Sequence, residues 1–189
     1  MNNLIPLFRT DPIAKWGKLR KKVWSDAEVY YEQLLKRMEN LSYMVYLCSP
    51  LKATAEKLIQ VHITEAIYAA SQILGAEYNG KKIAVWIPHV HLFSIYNEAI
   101  YPEAREKAIK FNNDLIQKYF QSLVVVGNKI SGGMTGEIAL AKKSGIEIVR
   151  ERVFKRRLKN LPDSESIKRS YRKMVSLHNG IHGPGLLIK

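Results

Sequence analysis

Four short apolar runs alternate with three helical segments along the middle of this chain, and that alternation restricts the fold more than any other feature. The runs lie at 43–47, 83–87, 123–126 and 146–149, and helical periodicity covers 54–74, 102–120 and 136–143. Strands that alternate with helices form parallel sheets through right-handed crossovers. The sequence therefore predicts an α/β domain in which helices flank a parallel sheet.

Helical extensions flank the predicted α/β domain, which spans 42–149. The N-terminal extension covers 1–41, where Ser25 and Glu28 have the spacing of a capping box at a helix start. The C-terminal extension covers 150–189. Its composition predicts helix as far as 177, with a break at a proline, and an irregular glycine-rich tail after that.

Most of the positive charge belongs to the C-terminal extension. The net charge of the chain is +13, and residues 150–189 carry 11 Lys and Arg against 3 Asp and Glu, whereas 42–149 carry 11 against 9. A localised positive charge attracts nucleic acid, phosphorylated ligands or acidic partners. A solvated basic helix has the same composition. The segment from Arg150 to Lys173 is therefore either such a helix or a nucleic-acid-binding surface.

Composition also limits the class of protein. No apolar run reaches the roughly 18–20 residues that span a bilayer, and the N-terminal residues, which include Asp11, lack the apolar core of a secretory signal. Cys48 is the only cysteine, which excludes an intrachain disulfide and a cysteine-based zinc site. We expect a cytoplasmic protein with no membrane partner.

Two carboxylates flank the apolar run at 123–126. Asp114 lies near the end of the preceding helix, and Glu137 opens the following one. Ligands of open α/β sheets bind outside the carboxyl ends of the strands, where a carboxylate can attack an anomeric carbon and form a covalent glycosyl intermediate. Glu137 is the predicted nucleophile, and Asp114 would protonate the leaving base or bind a sugar hydroxyl. The alternatives are a surface role for Asp114 and a dipole-stabilised carboxylate at Glu137.

Two turns supply candidate binding residues. Gly132 and Gly133 let a phosphate or ribose approach the backbone closely, and Ser131 could contact the same phosphate. After the first strand, Ser49 and Pro50 lead towards a helix whose N-terminus offers free backbone N–H groups. The turn after the first strand has neither the glycine fingerprint of a dinucleotide fold nor the Gly-Lys-Ser/Thr of a P-loop, so we expect no ATP hydrolysis.

His89 and His91 follow the second strand. Two residues apart on an extended segment, they would face the same side. A metal site completed by Asp114 and Glu137 is one interpretation. We favour substrate hydrogen bonding or loop packing, with no metal.

Four motifs give the span 43–149 a resemblance to the nucleoside 2-deoxyribosyltransferase-like superfamily, especially to its largely uncharacterised bacterial and phage domains. They are Tyr46-Leu47-Cys48-Ser49-Pro50, Pro88-His89-Val90-His91-Leu92, Asn113-Asp114-Leu115, and Ser131-Gly132-Gly133-Met134-Thr135-Gly136-Glu137-Ile138-Ala139-Leu140-Ala141. The resemblance implies a Rossmann-like fold. It also implies cleavage or exchange of the N-glycosidic bond of deoxynucleosides or deoxynucleotides, without metal or cofactor, in a homo-oligomer.

The resemblance also assigns roles to residues. Glu137 matches the nucleophilic glutamate of the superfamily, Asp114 an active-site aspartate, and Ser131 a serine near the 5′-phosphate. Asn113 and Met134 lie within the matching motifs and are counted as substrate-binding. The sequence departs from the pattern at Ser122, where many relatives have an acidic residue, and in the histidine-rich loop, which replaces the segment that holds the base in transferases.

Two other functions fit the same residues. The chain could bind, sense or sequester a nucleotide derivative without turnover, in a phage- or defence-related setting. It could also bind nucleic acid through its basic C-terminal extension, with affinity that falls steeply as salt increases.

Overall fold

The computed structural model describes residues 16–50, 56–92, 96 and 103–182. In that part of the chain the strands are β1 (Ser42–Cys48), β2 (Glu77–Tyr78), β3 (Lys81–Trp86), β4 (Ser122–Val125) and β5 (Glu147–Arg150). The helices are α1 (Trp16–Leu41), α2 (Glu56–Ser71), α3 (Pro88–His91), α4 (Ala104–Tyr119), α5 (Gly132–Lys143), α6 (Glu151–Lys155) and α7 (Ser164–His182).

One sheet of five strands, in the order β2-β3-β1-β4-β5, organises the fold. Strands β3, β1, β4 and β5 are parallel, and β2 pairs with β3 in the antiparallel direction. The predicted α/β class with a Rossmann-like, mostly parallel sheet is therefore confirmed. The edge strand β2 was not predicted, because two residues are too few to show any periodicity.

Strand β1 lies at the centre of the sheet and is buried on both faces, as its continuous apolar sequence requires. Alternate residues contact different layers of helices. Met44, Tyr46 and Cys48 pack with α1, α4 and α5 on what we call the α4 face. Val45 and Leu47 pack with α2, α6 and α7 on the α2 face. The position of a residue along β1 thus determines which helices it meets.

The N-terminal helix differs from its predicted start. Helix α1 runs from Trp16 to Leu41 without a break at Ser25, so the predicted capping box is wrong there. Trp24 is buried against Tyr96, and Glu28 accepts a hydrogen bond from the Tyr96 hydroxyl. Glu28 thus anchors a tertiary contact and does not cap the helix.

Two other segments also differ from their predictions. The segment after the second strand, predicted to be extended at His89 and His91, begins as one helical turn, Pro88–His91, while 93–95 and 97–101 lie outside the described residues. Helix α7 continues to His182, so the predicted irregular tail does not begin at 178. Among the described helices, none is both long and apolar enough to cross a membrane.

Candidate active site

Helix α5 brings Glu137 to the carboxyl end of β1. The helix begins after Ser131, whose Oγ accepts a hydrogen bond from the backbone N–H of Met134 at 3.4 Å. The Met134 side chain is buried on the α4 face and anchors this first turn against the sheet. The cap fixes the start of α5. Glu137 lies less than one helical turn after the buried Met134.

The Glu137 carboxylate receives hydrogen bonds from three neutral side chains. The Tyr46 hydroxyl donates to Glu137 Oε1 at 2.6 Å. Asn112 Nδ2 donates to the Tyr46 oxygen at 2.5 Å and to Glu137 Oε1 at 3.3 Å. The Cys48 thiol, at the end of β1, is also hydrogen-bonded to Glu137. We call Tyr46, Cys48, Asn112 and Glu137 the Glu137 cluster.

Burial dominates the electrostatics of this cluster. Loss of water raises the pKa of Glu137, and the hydrogen bonds from Tyr46 and Cys48 offset part of that rise. Burial, followed by the nearby Glu137 charge, raises the pKa of Tyr46 well above its usual range and also raises that of the Cys48 thiol. Both donors therefore remain protonated near neutral pH, and the carboxylate is held by dipoles.

Two buried polar atoms close to this end of the sheet lack a protein partner. Asn112 Oδ1 and Ser49 Oγ have no hydrogen-bond partner in the described part of the chain, although these residues are only 6% and 3% exposed. A buried polar group without a partner costs about 1–3 kcal/mol. Both atoms can bind a polar ligand, Asn112 as an acceptor and Ser49 as donor or acceptor.

The glycines of the α5 turn leave open space. A Cβ placed on Gly132, Gly133 or Gly136 would meet nothing within 4 Å among the described residues, and none of the three needs a positive φ. Neither internal packing nor backbone strain explains why glycine stands there. The described residues thus leave the N-terminus of α5 accessible to a ligand.

The structure does not bring Asp114 to Glu137. Asp114 is exposed on α4, whereas Asn112 is buried and makes the contact. Two residues along an α-helix are separated by roughly 200° of rotation, so the two side chains point in nearly opposite directions. Asn113, between them, is partly buried. Sequence reasoning missed Asn112, although its neighbours Phe111 and Leu115 mark the buried side of the helix.

The two histidines act locally. They lie on the α3 turn, so the prediction that they share one side of an extended segment is wrong. His89 Nε2 contacts the Ser49 carbonyl oxygen at 2.8 Å and holds the end of β1. His91 Nδ1 contacts the Ile87 carbonyl oxygen at 2.8 Å, and its ring stacks on Trp86 at 4.2 Å. Burial lowers the pKa of each histidine to about 4.

The remaining predicted residues lie around the same edge. Pro50 follows Ser49 at the end of β1, and 51–55 lie outside the described residues. Within the described ranges, no group of three or more His, Cys, Asp or Glu residues could hold a metal ion.

A second polar network lies at the opposite end of β1. The Tyr43 hydroxyl and Ser122 Oγ are 2.7 Å apart, and Ser122 Oγ donates to Glu147 Oε2 at 2.8 Å. Arg157 Nη1 donates to Glu147 Oε1 at 2.5 Å. We call these four residues the amino-edge cluster. Ser122, the departure from the superfamily pattern, therefore belongs to this network and not to the Glu137 cluster.

Fold and site together define a Rossmann-like α/β protein with a partly buried carboxylate at the carboxyl end of its central strand. Residues 43–151 match the family described as Domain of unknown function (DUF7768), and the chain belongs to that family. No curated protein and no solved structure matches the chain.

Proposed function

We propose that the protein hydrolyses or exchanges the N-glycosidic bond of a nucleoside or nucleotide, with Glu137 as nucleophile. The observation that carries the proposal is the Glu137 cluster, in which neutral donors hold a partly buried carboxylate beside an unpartnered amide oxygen. A carboxylate stabilised by dipoles and not by a cation keeps its charge available for attack on an electrophilic carbon.

In the first step Glu137 forms a bond to C1′ of the sugar. The C1′–N bond breaks, and the base leaves with its electron pair and takes up a proton from solvent water. In the second step a water or an acceptor base attacks C1′, loses a proton to solvent and releases the carboxylate. Tyr46 and Asn112 both contact Oε1, so they orient the carboxyl group for this attack.

The unpartnered atoms would bind the sugar. Asn112 Oδ1 can accept from a sugar hydroxyl, and Ser49 Oγ can donate or accept at the end of β1. The open N-terminal turn of α5 offers backbone N–H groups to a phosphate. Asp114 is exposed, so we assign it no role beside the Glu137 of its own subunit; it could serve a second subunit in the homo-oligomer that the resemblance implies.

A second candidate is ligand binding without turnover. The unpartnered Asn112 Oδ1 and Ser49 Oγ favour it, because they can hold a polar ligand whether or not Glu137 attacks it. The same cluster would then recognise a nucleotide derivative and release it unchanged.

The test is incubation with deoxynucleosides and deoxynucleoside monophosphates, followed by chromatography for free base. We expect release by the wild type and none by Glu137→Gln. Glu147→Gln, in the amino-edge cluster, is the matched control and should retain activity. A folded wild type that releases no base but retains an intact ligand would support the binding function, and equal activity in Glu137→Gln would refute the mechanism.

A further inference from the structure

The outer side of α7 carries a cluster of cations. Lys168, Arg169, Arg172 and Lys173 are all exposed. At about 100° per residue they occupy an arc of roughly 140° on one side of the helix. The inner side of α7 carries Ile167, Tyr171, Met174 and Val175, of which the last three pack against the core of the α2 face. The packing of α7 thus holds these four cations towards solvent.

Acidic residues neutralise little of this cluster. Glu165 pairs with Lys168 at 2.8 Å, and Arg169 donates to Ser166 Oγ. Arg172 and Lys173 form no ion pair in the described part of the chain. The cluster therefore keeps an uncompensated positive charge.

The segment before α7 adds to this charge. Arg152, Arg156 and Lys159 are exposed and have no ion pair within the described ranges. Other cations of the segment are engaged: Lys155 pairs with Glu151 at 2.7 Å, and Arg157 pairs with Glu147. The free cations thus belong to helices α6 and α7 and the turn between them, which cover the α2 face and not the face that holds Glu137.

We propose that this basic surface binds the phosphate backbone of nucleic acid, independently of the Glu137 site. Residues 168–173 span about 7.5 Å of helix axis, while a DNA duplex carries one negative charge per about 1.7 Å. The cations can therefore contact several phosphates at once. The nearest aromatic ring, Tyr171, is partly buried against Tyr68 and is not presented for base stacking. Recognition is therefore of the backbone and independent of sequence.

Fluorescence anisotropy of the full chain with a labelled DNA duplex, from 50 to 300 mM salt, tests the proposal. Binding should weaken linearly on a log–log plot against salt. The variant Arg172→Glu/Lys173→Glu should lose at least about tenfold in affinity and flatten the slope by about two units. Both side chains are exposed, and circular dichroism checks the fold; Arg172→Gln/Lys173→Gln repeats the test with a smaller change of charge.

The matched control is Lys142→Glu/Lys143→Glu. These two lysines are also adjacent, exposed and helical, but they lie at the end of α5, on the α4 face. The control changes the net charge equally and should leave affinity nearly unchanged. An equal loss in both variants would show a general charge effect and overturn the proposal, as would no binding at 50 mM salt or equally tight binding of poly-glutamate. Glu137→Gln should bind DNA as the wild type does. The outcome of this test is therefore independent of the proposed catalysis.

Discussion

Two networks at opposite ends of β1 combine the same chemical groups with different outcomes. At the carboxyl end Tyr46 donates to Glu137, and at the amino end Tyr43 reaches Glu147 through Ser122. Each network therefore links a tyrosine of the central strand to a glutamate on a neighbouring element. Only the surroundings of the two carboxylates differ.

Those surroundings differ in how the charge of the carboxylate is compensated. Glu147 has the Arg157 guanidinium as a partner and lies partly in solvent, so its charge is compensated. Within the described residues Glu137 is held by neutral donors, and an acceptor atom beside it, Asn112 Oδ1, has no partner there. A partly buried charge without a counter-ion lowers stability and is typical of functional sites. The comparison thus favours the carboxyl end as the site of the proposed activity.

Exchanging each glutamate for glutamine gives the largest expected contrast. Glu137→Gln removes the nucleophile, so base release should fall by about a thousandfold or more, while Glu147→Gln should remain within about twofold of the wild type. Steady-state kinetics with chromatographic detection measures both. Similar losses in the two variants would contradict the distinction between the two ends.

Acid should lower the stability of the folded protein through two partly buried histidines near the carboxyl end of the sheet, His89 and His91. The pKa of His89 and of His91 falls from 6.5 to about 4 on folding, so the unfolded chain takes up protons first as the pH drops. Stability that is present above pH 6.5 is therefore lost between pH 6.5 and 4, by up to about 3 kcal/mol per histidine. Urea denaturation across this range measures the loss, and His89→Gln/His91→Gln should flatten it.

Glu137 contributes a pH dependence of the opposite sign. Its folded pKa is raised, so its contribution is complete below the unfolded pKa and is lost as the pH rises through the folded value. Glu137→Gln removes this opposing contribution, so a stability of that variant that stays constant from pH 7 to 4 would contradict the lowered pKa values of the histidines.

Removing one tyrosine hydroxyl at each end sharpens the comparison. Tyr46→Phe removes a donor to Glu137, so the pKa of Glu137 should rise further. Tyr43→Phe should cost about 1 kcal/mol of stability without moving that pKa. Carbon-13 NMR of labelled glutamate follows the titration directly. An unchanged Glu137 titration in Tyr46→Phe would remove Tyr46 from the site.

The smallest effect is expected at the amino end. Arg157→Ala breaks the pair with Glu147, but both side chains are partly exposed, so the free energy of unfolding should fall less than it does in Tyr43→Phe. Thermal denaturation with and without 0.5 M salt measures it. A much larger loss would mean that the pair is more deeply desolvated than its exposure indicates.

The sequence predicted the centre of the sheet better than its edge. The runs at 43–47 and 123–126 became β1 and β4, because strands buried on both faces must be apolar throughout. The two-residue β2 leaves no such pattern and depends on pairing with β3. The start of helix α1 was wrongly predicted at Ser25 because the tertiary contact of Glu28 is not visible in local spacing.

The candidate site was predicted in part. Glu137 stood out through the glycine-rich motif before it, and the structure places it against β1. Asp114 was predicted because it is charged. The orientation of α4 about its axis determines which side chain reaches the sheet, and that side chain is Asn112. Tyr46 fits the apolar pattern of a core strand residue. A buried tyrosine hydroxyl needs a partner, and that requirement was the overlooked signal.

The single cysteine gives the protein a built-in reporter. Cys48 has no exposed surface, ends β1 beside Glu137, and its thiol has a raised pKa. A maleimide can label the Cys48 thiol only when the end of β1 opens to solvent. The labelling rate therefore measures how often this opening occurs. Ligands that close the site should slow the reaction in proportion to their occupancy. The unaltered chain can therefore report which compounds it binds.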